Sequence, residues 1–364
     1  MGHGYHLQTP TRPNAQFLPR SKAMGFLELF SMTPHPDRET ILRITGLKSF
    51  LKDRLFGQDD AITVVADAVK IAELGVRRIG KPKAAFLFLG PTGVGKTELT
   101  KLLTIFLYGS RAGERLLRYN MAEYADEAVA LGRLLGFNSS QQGDLGDGLD
   151  HLNKLGGGVI LVDEIEKAAP KVGKIWLAGV DEAEIGFANA TRKKLETSYV
   201  IMTSNLGATE AMQMHDSGET AMKNVLRDKA MKFFGPEMIG RFERWTGVVV
   251  FNRLSPEIQN LVCDSMIKRE ITYFAAERGV NIRDVSRDAI TEFKDKGYRD
   301  AMGARPMEGA VQRLMNSAYC DLLIECVKND QPFPNDVVVD RERYLDEMER
   351  KKSIITMRRC GRAV

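Results

Sequence analysis

The stretch Phe86-Leu87-Phe88-Leu89-Gly90-Pro91-Thr92-Gly93-Val94-Gly95-Lys96-Thr97-Glu98 joins an apolar run, a glycine-rich turn and the start of a helical pattern. Phe86 to Leu89 predict a buried strand, Gly90, Gly93 and Gly95 permit a tight turn, and Thr97 to Leu103 open a helix. A helix reached through such a turn presents unpaired backbone N–H groups to an anion. The spacing Gly-x-x-x-x-Gly-Lys-Thr is the P-loop pattern, in which Lys96 would reach β- and γ-phosphates and the Thr97 hydroxyl would hold Mg²⁺. A glycine-rich turn with no nucleotide is the plainer alternative. The strand before and the helix after supply the context that the motif requires.

Outward from this turn the pattern alternates. Upstream, Leu47, Phe50, Leu51 and Leu55, then Val64, Val65, Ala68, Val69 and Ala72, fall at helical spacing on either side of Phe56-Gly57-Gln58-Asp59-Asp60. Downstream, strands are expected at 115–120, 159–164, 199–203 and 247–251, with helices around Leu134 and Trp176. Strands separated by helices predict an α/β domain with a central, mostly parallel, five-stranded sheet. Residues 137–150, with Gly143, Gly146 and Gly148, read as an exposed polar loop. Beyond Asn252-Arg253-Leu254-Ser255-Pro256 helices take over, with a weak strand pair at 280–282 and 337–339.

The expected organisation is an irregular N-terminal arm at 1–45, a large α/β domain at 46–251, a small mainly helical lid at 252–340 and a charged tail at 341–364, read as a solvated helix. The arm, rich in proline, serves either as a solvated lead-in or as a docking arm for a partner. The chain has 364 residues, enough for two cored domains, with 43% hydrophobic and 27% charged residues. A net charge of +4 does not support a nucleic-acid partner. Cys263, Cys320, Cys326 and Cys360 suggest reduced thiols, and no segment has the length of a membrane span or the form of a signal peptide. A cytoplasmic location is the expectation.

Asp163 and Glu164 close the strand Val159–Val162, and in a parallel sheet they emerge on the same edge as the P-loop. The first acid would support Mg²⁺, and the second would orient a water attacking the γ-phosphate. Alone, an apolar strand capped by Asp-Glu is compatible with a structural turn; paired with a P-loop it reads as catalytic. Asn205 ends the next strand, and its amide both donates and accepts, which suits holding that water; in isolation it would read as a turn-forming Asn. Arg241 and Arg305 carry the planar charge that suits a phosphoryl-transfer transition state, though composition alone does not separate them from other arginines.

With these residues in view, the chain resembles the AAA+ ATPases of the Clp/Hsp100 family, in particular the second ATPase module of ClpB- and ClpA-like unfoldases. The resemblance rests on 56–62, 86–99, Asn120-Met121-Ala122-Glu123-Tyr124, 159–168, 200–208, 236–242 and 297–306. It implies a P-loop AAA+ domain followed by a lid, ATP between them and subunits in a ring, commonly a hexamer. Pro91, Thr92, Gly93, Val94, Gly95, Lys96, Thr97 and Glu98 would form Walker A around the nucleotide, and Asp163 and Glu164 would be Walker B. Asn205 would be sensor 1, Arg305 sensor 2, and Arg241 an arginine finger entering the neighbour's site. Phe56, Gly57 and Gln58 would lie near the adenine.

Several positions depart from the family pattern. Family unfoldases carry a Gly-Tyr-Val-Gly type loop whose aromatic grips a threaded polypeptide; here the text is Leu135-Gly136-Phe137-Asn138-Ser139-Ser140-Gln141-Gln142-Gly143. Phe137 is either that gripping aromatic or a packing residue at the helix end. Asp144, Asp147 and Asp150 would repel a phosphate backbone, which argues against a DNA motor. A first ATPase module and a family-type N-terminal domain are not expected. Ile185-Gly186-Phe187 precedes sensor 1 and reads as a hairpin element, so a ClpP-like peptidase is not an expected partner. The expected function is an ATP-hydrolysing ring that remodels or unfolds protein substrates or complexes. The alternative is an ATP-controlled assembly or switch subunit of a secretion, mobile-element or defence system that does not thread polypeptide.

Overall fold

The computed structural model describes residues 36–76, 80–138, 140–213, 219–245, 247–300, 302–345 and 351–360. The arm expected at 1–45 lies outside the described residues up to position 35. From there the chain enters α1 (Arg38–Thr45), α2 (Leu47–Lys52) and α3 (Asp59–Glu73). The large unit continues with β1 (Ala84–Leu89), α4 (Lys96–Tyr108), β2 (Leu116–Asn120), α5 (Glu127–Leu135), α6 (Asp144–Lys154), β3 (Val159–Asp163) and α7 (Pro170–Glu182). A hairpin of β4 (Glu184–Gly186) and β5 (Arg192–Lys194) leads to β6 (Tyr199–Ser204), then to α8 (Ala208–Gln213), α9 (Glu219–Phe234), α10 (Pro236–Trp245) and β7 (Val248–Val250).

The central sheet has the order β2-β3-β6-β1-β7, and every pair in it is parallel. Strand β1 is buried on both faces, which explains why its sequence is an unbroken apolar run rather than an alternation. Its side chains nevertheless divide with the two-residue period of a strand. Ala85, Leu87 and Leu89 join the core that contains Trp176 and Phe242, whereas Ala84, Phe86 and Phe88 join the core formed with α2, α3 and α4. The sheet is therefore covered on both sides, and its exposed chemistry is confined to the strand ends.

Two expectations are corrected here. Residues 144–154 are helix α6 rather than loop, because Leu145, Leu149 and Leu152 recur at helical spacing and are fully buried. The glycines that suggested a loop sit where the helix is closely packed: a Cβ on Gly148 would meet the Tyr119 hydroxyl and Leu117. The charged tail is not a helix either. β9 (Asp336–Leu345) and β10 (Lys351–Arg359) pair antiparallel, with Ile355 and Met357 buried and the charges on the other face matched across the strands, as in Arg358 with Asp340.

These strands belong to a third core. It unites α11 (Pro256–Tyr273), α12 (Arg287–Gly297) and α13 (Arg305–Lys328) with β9, β10 and β8 (Asn281–Val285). The weak strand pair read from 280–282 and 337–339 is present, as parallel pairing of β8 with β9. The lid-like unit is thus helical with a three-stranded sheet. Ser255 caps α11, accepting from the Ile258 N–H, and Pro256 occupies the first turn, where no backbone donor is needed.

Gln58 ties the parts together. Its side chain is buried, its Nε2 donates to the Val94 carbonyl at 3.1 Å and to the Asn252 carbonyl at 2.9 Å, and its Oε1 accepts from the Asn252 N–H at 2.8 Å. One amide therefore clamps the P-loop to the strand that leads into α11. Removing it strands buried backbone groups, so Gln58→Ala should lower the unfolding free energy in urea by about 1–3 kcal/mol without changing the denaturant slope. A loss below about 0.5 kcal/mol, within the range of an ordinary surface change, would contradict the clamp.

Candidate functional site

Because β6 lies between β3 and β1, the residue that leaves β6 is flanked by the P-loop on one side and by the end of β3 on the other. That residue is Asn205. Its Oδ1 accepts from Lys96 Nζ at 2.8 Å and its Nδ2 donates to Glu164 Oε1 at 3.2 Å. The Thr92 hydroxyl reaches the same Oδ1 at 3.5 Å. The amide can bridge an ammonium and a carboxylate because it presents an acceptor and a donor on one planar group.

The Lys96 side chain is folded back over the loop. Its Nζ also donates to the carbonyls of Gly90 and Pro91, at 2.5 and 2.8 Å. The residue is 7% exposed. Burial pushes its ammonium down to about 8, although the carboxylates of Glu166, Asp163 and Glu164 pull the other way. A buried cation whose hydrogen-bond partners are neutral carbonyls and an amide, at the opening of a glycine loop, is poised for an anion.

The rest of the loop fits a polyphosphate. Gly93, Val94 and Gly95 find no protein acceptor for their N–H groups among the described residues, and α4 starts immediately after them with its own unpaired amides. Gly93 has φ +74°, and a Cβ there would stand 2.1 Å from the Met302 carbonyl, so glycine is required both by the turn and by the close approach. That approach is a bond between units: the Ala304 N–H donates to the Gly93 carbonyl at 3.1 Å. The turn preceding α13 is thereby seated on the P-loop, and Arg305 follows it as an exposed first residue of α13.

Asp163 and Glu164 are organised by Thr203. The buried Thr203 hydroxyl donates to Asp163 Oδ1 at 2.5 Å and accepts from the Glu164 N–H at 3.1 Å. Glu164 takes a left-handed conformation, φ 57°, a strained choice for a non-glycine residue that clusters at functional sites. Its carboxylate also pairs with Lys167 at 2.6 Å. The second Asp163 oxygen receives Arg118 Nη2 at 2.6 Å. With Thr97 half-buried at the start of α4, these oxygens suit a divalent cation that takes its remaining ligands from phosphate and water. Among the described residues no group of three or more His, Cys, Asp or Glu forms a metal cluster on its own.

Lys96, Glu164, Asn205 and Thr92 are thus brought together, with Asp163 tied to Glu164 through Thr203. Other expected residues stand apart from that cluster. Arg241, on α10, binds Glu237 at 2.6 Å and lies 3.7 Å from Asp181, with its side chain 31% exposed. Gln58 is consumed by backbone contacts, and Gly57 packs under Ile258 of α11. Phe56 is half-buried, and Glu98 faces Lys101 at 4.0 Å on the surface of α4. Phe137 is 62% exposed and lies against Gly132 at the end of α5.

Residues that sequence reading missed include Arg118, Thr203 and Glu166. Arg118 interrupts an otherwise apolar strand, which is a signal of a sort; Thr203 sits inside the apolar run of β6 and gives none. Nearby, Gln142 is tied to α6, its Nε2 donating to Asp150 Oδ2 at 2.6 Å, and α6 is tied to the β4–β5 hairpin by buried Lys193, which donates to the same oxygen and to the Gly146 carbonyl. Ile185 and Phe187 are buried in that hairpin, in keeping with a packing element.

Comparison with known proteins agrees with this geometry. The AAA domain family (Cdc48 subfamily) matches residues 81–245. The chain is 31% identical over 311 residues to the chloroplastic chaperone protein ClpD1 of Oryza sativa, covering 81% of this chain and 32% of that protein. It is 30% identical over 310 residues to heat shock protein 104 of Schizosaccharomyces pombe, covering 83% and 34%. It is 31% identical over 284 residues to the chaperone protein ClpB of Helicobacter hepaticus, covering 78% and 32%. The chain spans about a third of the length of these relatives.

The Lys96 environment makes a pH prediction. Its ammonium is held below the ordinary lysine value of 10.5, so between about pH 8 and 10.5 the folded chain carries fewer protons there than the unfolded chain, and stability contributed by this group rises with pH across that window. A phosphate seated on Lys96 reverses the depression, so nucleotide binding at pH 8.5–9 should take up part of about one proton. Calorimetry in buffers of different ionisation enthalpy would detect the uptake, and Lys96→Met should abolish it. Binding without uptake in the unmodified protein would contradict the assignment.

Proposed function

Because this chain carries an AAA domain of the Clp/Hsp100 kind, we propose that it hydrolyses ATP within a ring, commonly a hexamer, and uses the cycle to remodel or unfold protein substrates or complexes. The observation that carries this reading is the bridge Lys96–Asn205–Glu164. It joins the group that meets the terminal phosphates to the group that handles the attacking water, through one amide between them.

In this reading Lys96 and the loop amides bind and orient the phosphates, and the N-terminus of α4 adds its dipole. Thr97 and Asp163 would hold Mg²⁺, which would neutralise charge on the β- and γ-oxygens. Glu164, released from Lys167, accepts a proton from water while Asn205 fixes where that water lies. Thr203 keeps Asp163 and Glu164 in a constant relation as this happens. Arg305 approaches the phosphates from the lid side, supported by the Ala304–Gly93 bond beside it. Arg241 stands apart from its own chain's bridge and is exposed enough to serve a neighbouring subunit, a contribution worth about 10³–10⁵ in rate where it has been measured in related phosphoryl transfer. Phe56 and Gly57, beside α11, border the base.

The remodelling role rests on the similarity to the chaperones named above. The cytoplasm is the compartment we propose, and among the described residues no helix is long and apolar enough to cross a membrane. Neither a peptidase nor a nucleic acid is part of this proposal.

Replacing Glu164 by Gln retains the hydrogen bond to Asn205 and removes the base. Turnover should fall by about 10²–10⁴, with ATP affinity within about threefold of the unmodified protein, the expected split when only a transition-state interaction is lost. Steady-state hydrolysis and equilibrium nucleotide binding measure the two arms. Turnover close to that of the unmodified protein would remove Glu164 from its role.

A further inference from the structure

Glu166 has no task in the chemistry above, yet it touches the centre of the site. It lies in the single turn Ile165–Lys167 that follows Glu164. Its Oε1 accepts from the backbone N–H of Asn205 at 3.0 Å, and its Oε2 is buried with no partner among the described residues. We propose that Glu166 is a positioning residue for hydrolysis: its carboxylate holds the Asn205 backbone and so sets where the Asn205 amide meets Lys96 and Glu164. The inference rests on the ATPase reading of this site.

The sheet explains why such a tether is needed. Pairing of β3 with β6 ends at Val162 opposite Met202, and pairing of β1 with β6 ends at Leu89 opposite Ser204. Asn205 is the first residue past both ladders, so its N–H has no strand partner. A hydrogen bond from an amide to a carboxylate is stronger than one to a neutral acceptor, and here it supplies the restraint that the sheet no longer provides. The tether originates from the same turn as Glu164, so the two carboxylates move together: Glu166 grips the Asn205 backbone and Glu164 its side chain.

Among the described residues no protein group satisfies that second oxygen, so the hydrogen bond this carboxylate makes is the one to Asn205. A buried polar atom left without a partner is unfavourable and usually marks a functional constraint. Lys96 provides the reason to accept it, since among the carboxylates acting on that ammonium Glu166 is the strongest.

The test uses the full chain with Glu166→Ala, Glu166→Gln, Asn205→Ala and the double variant Glu166→Ala/Asn205→Ala. Hydrogen exchange is measured in the absence of nucleotide, and hydrolysis with ATP and Mg²⁺. Glu166→Ala should exchange the Asn205 amide about tenfold faster while β1 keeps its protection, as expected for a local opening. It should also lower kcat about 10- to 100-fold with KM within about twofold, the pattern of a misplaced catalytic group. Glu166→Gln, which keeps an acceptor for the Asn205 N–H, should restore most of kcat. The double variant should turn over no more slowly than Asn205→Ala, since the two residues act as one unit. Additive losses, unchanged exchange at Asn205, or loss of protection throughout the sheet would each overturn the proposal. Should Glu166→Ala not fold, Glu166→Asp withdraws the carboxylate by one methylene and carries the same readouts. If the unmodified protein shows no ATP turnover, the ATPase reading fails while the exchange measurement still decides the tether.

Discussion

The contact on which the rest depends is the hydrogen bond from Lys96 to Asn205, with its continuation to Glu164. It exists because β6 is inserted between β1 and β3 in a sheet whose strands all run the same way. In such a sheet the carboxyl ends of neighbouring strands open onto one crevice. Three separate sequence segments, none long enough to form a site by itself, are brought within hydrogen-bond distance by that order. Were β6 not between β1 and β3, the asparagine would lie beside Lys96 or beside Glu164, but not beside both.

The electrostatics of the crevice follow from its construction. A lysine taken out of water is disfavoured in its charged form, and burial here outweighs the carboxylates around it. The protein satisfies the ammonium with two carbonyls and an amide rather than with an ion pair. This leaves charge complementarity incomplete, and the proposed polyphosphate would complete it. Asp163 is treated in the opposite way: the Thr203 hydroxyl donates to one of its oxygens and the Arg118 guanidinium to the other, so this carboxylate carries a charged partner where Lys96 does not. The acidic and basic groups are thus held by separate neighbours, with the Asn205 amide between Lys96 and Glu164.

Much of this was legible in the chain. The apolar run of β1, the glycine turn and the lysine were readable from spacing, because a parallel strand buried on both faces leaves an unbroken apolar text. The acids after β3 and the asparagine after β6 were readable for the same reason. What composition hid was packing at a distance. Gln58 looks like a ligand-facing polar residue and is instead spent on backbone groups 36 and 194 positions away. Gly146 and Gly148 look like loop residues and are close-packing points of α6. The tail is dense in charge, yet Ile355 and Met357 on alternate positions make it a strand with one buried face. Thr203 and Glu166 act through the site's own residues and carry no motif. Sequence pattern reports periodicity and local turns; it does not report which backbone groups need a partner once the strands end.

The most direct measurement of the central claim is a structure of the protein with Mg²⁺ and a slowly hydrolysed ATP analogue. Lys96 Nζ should leave the Gly90 and Pro91 carbonyls for the terminal phosphates, and Asn205 should stay between the γ-phosphate and Glu164. A nucleotide bound away from the loop, or a bound nucleotide with Lys96 still holding all three of its present acceptors, would contradict it.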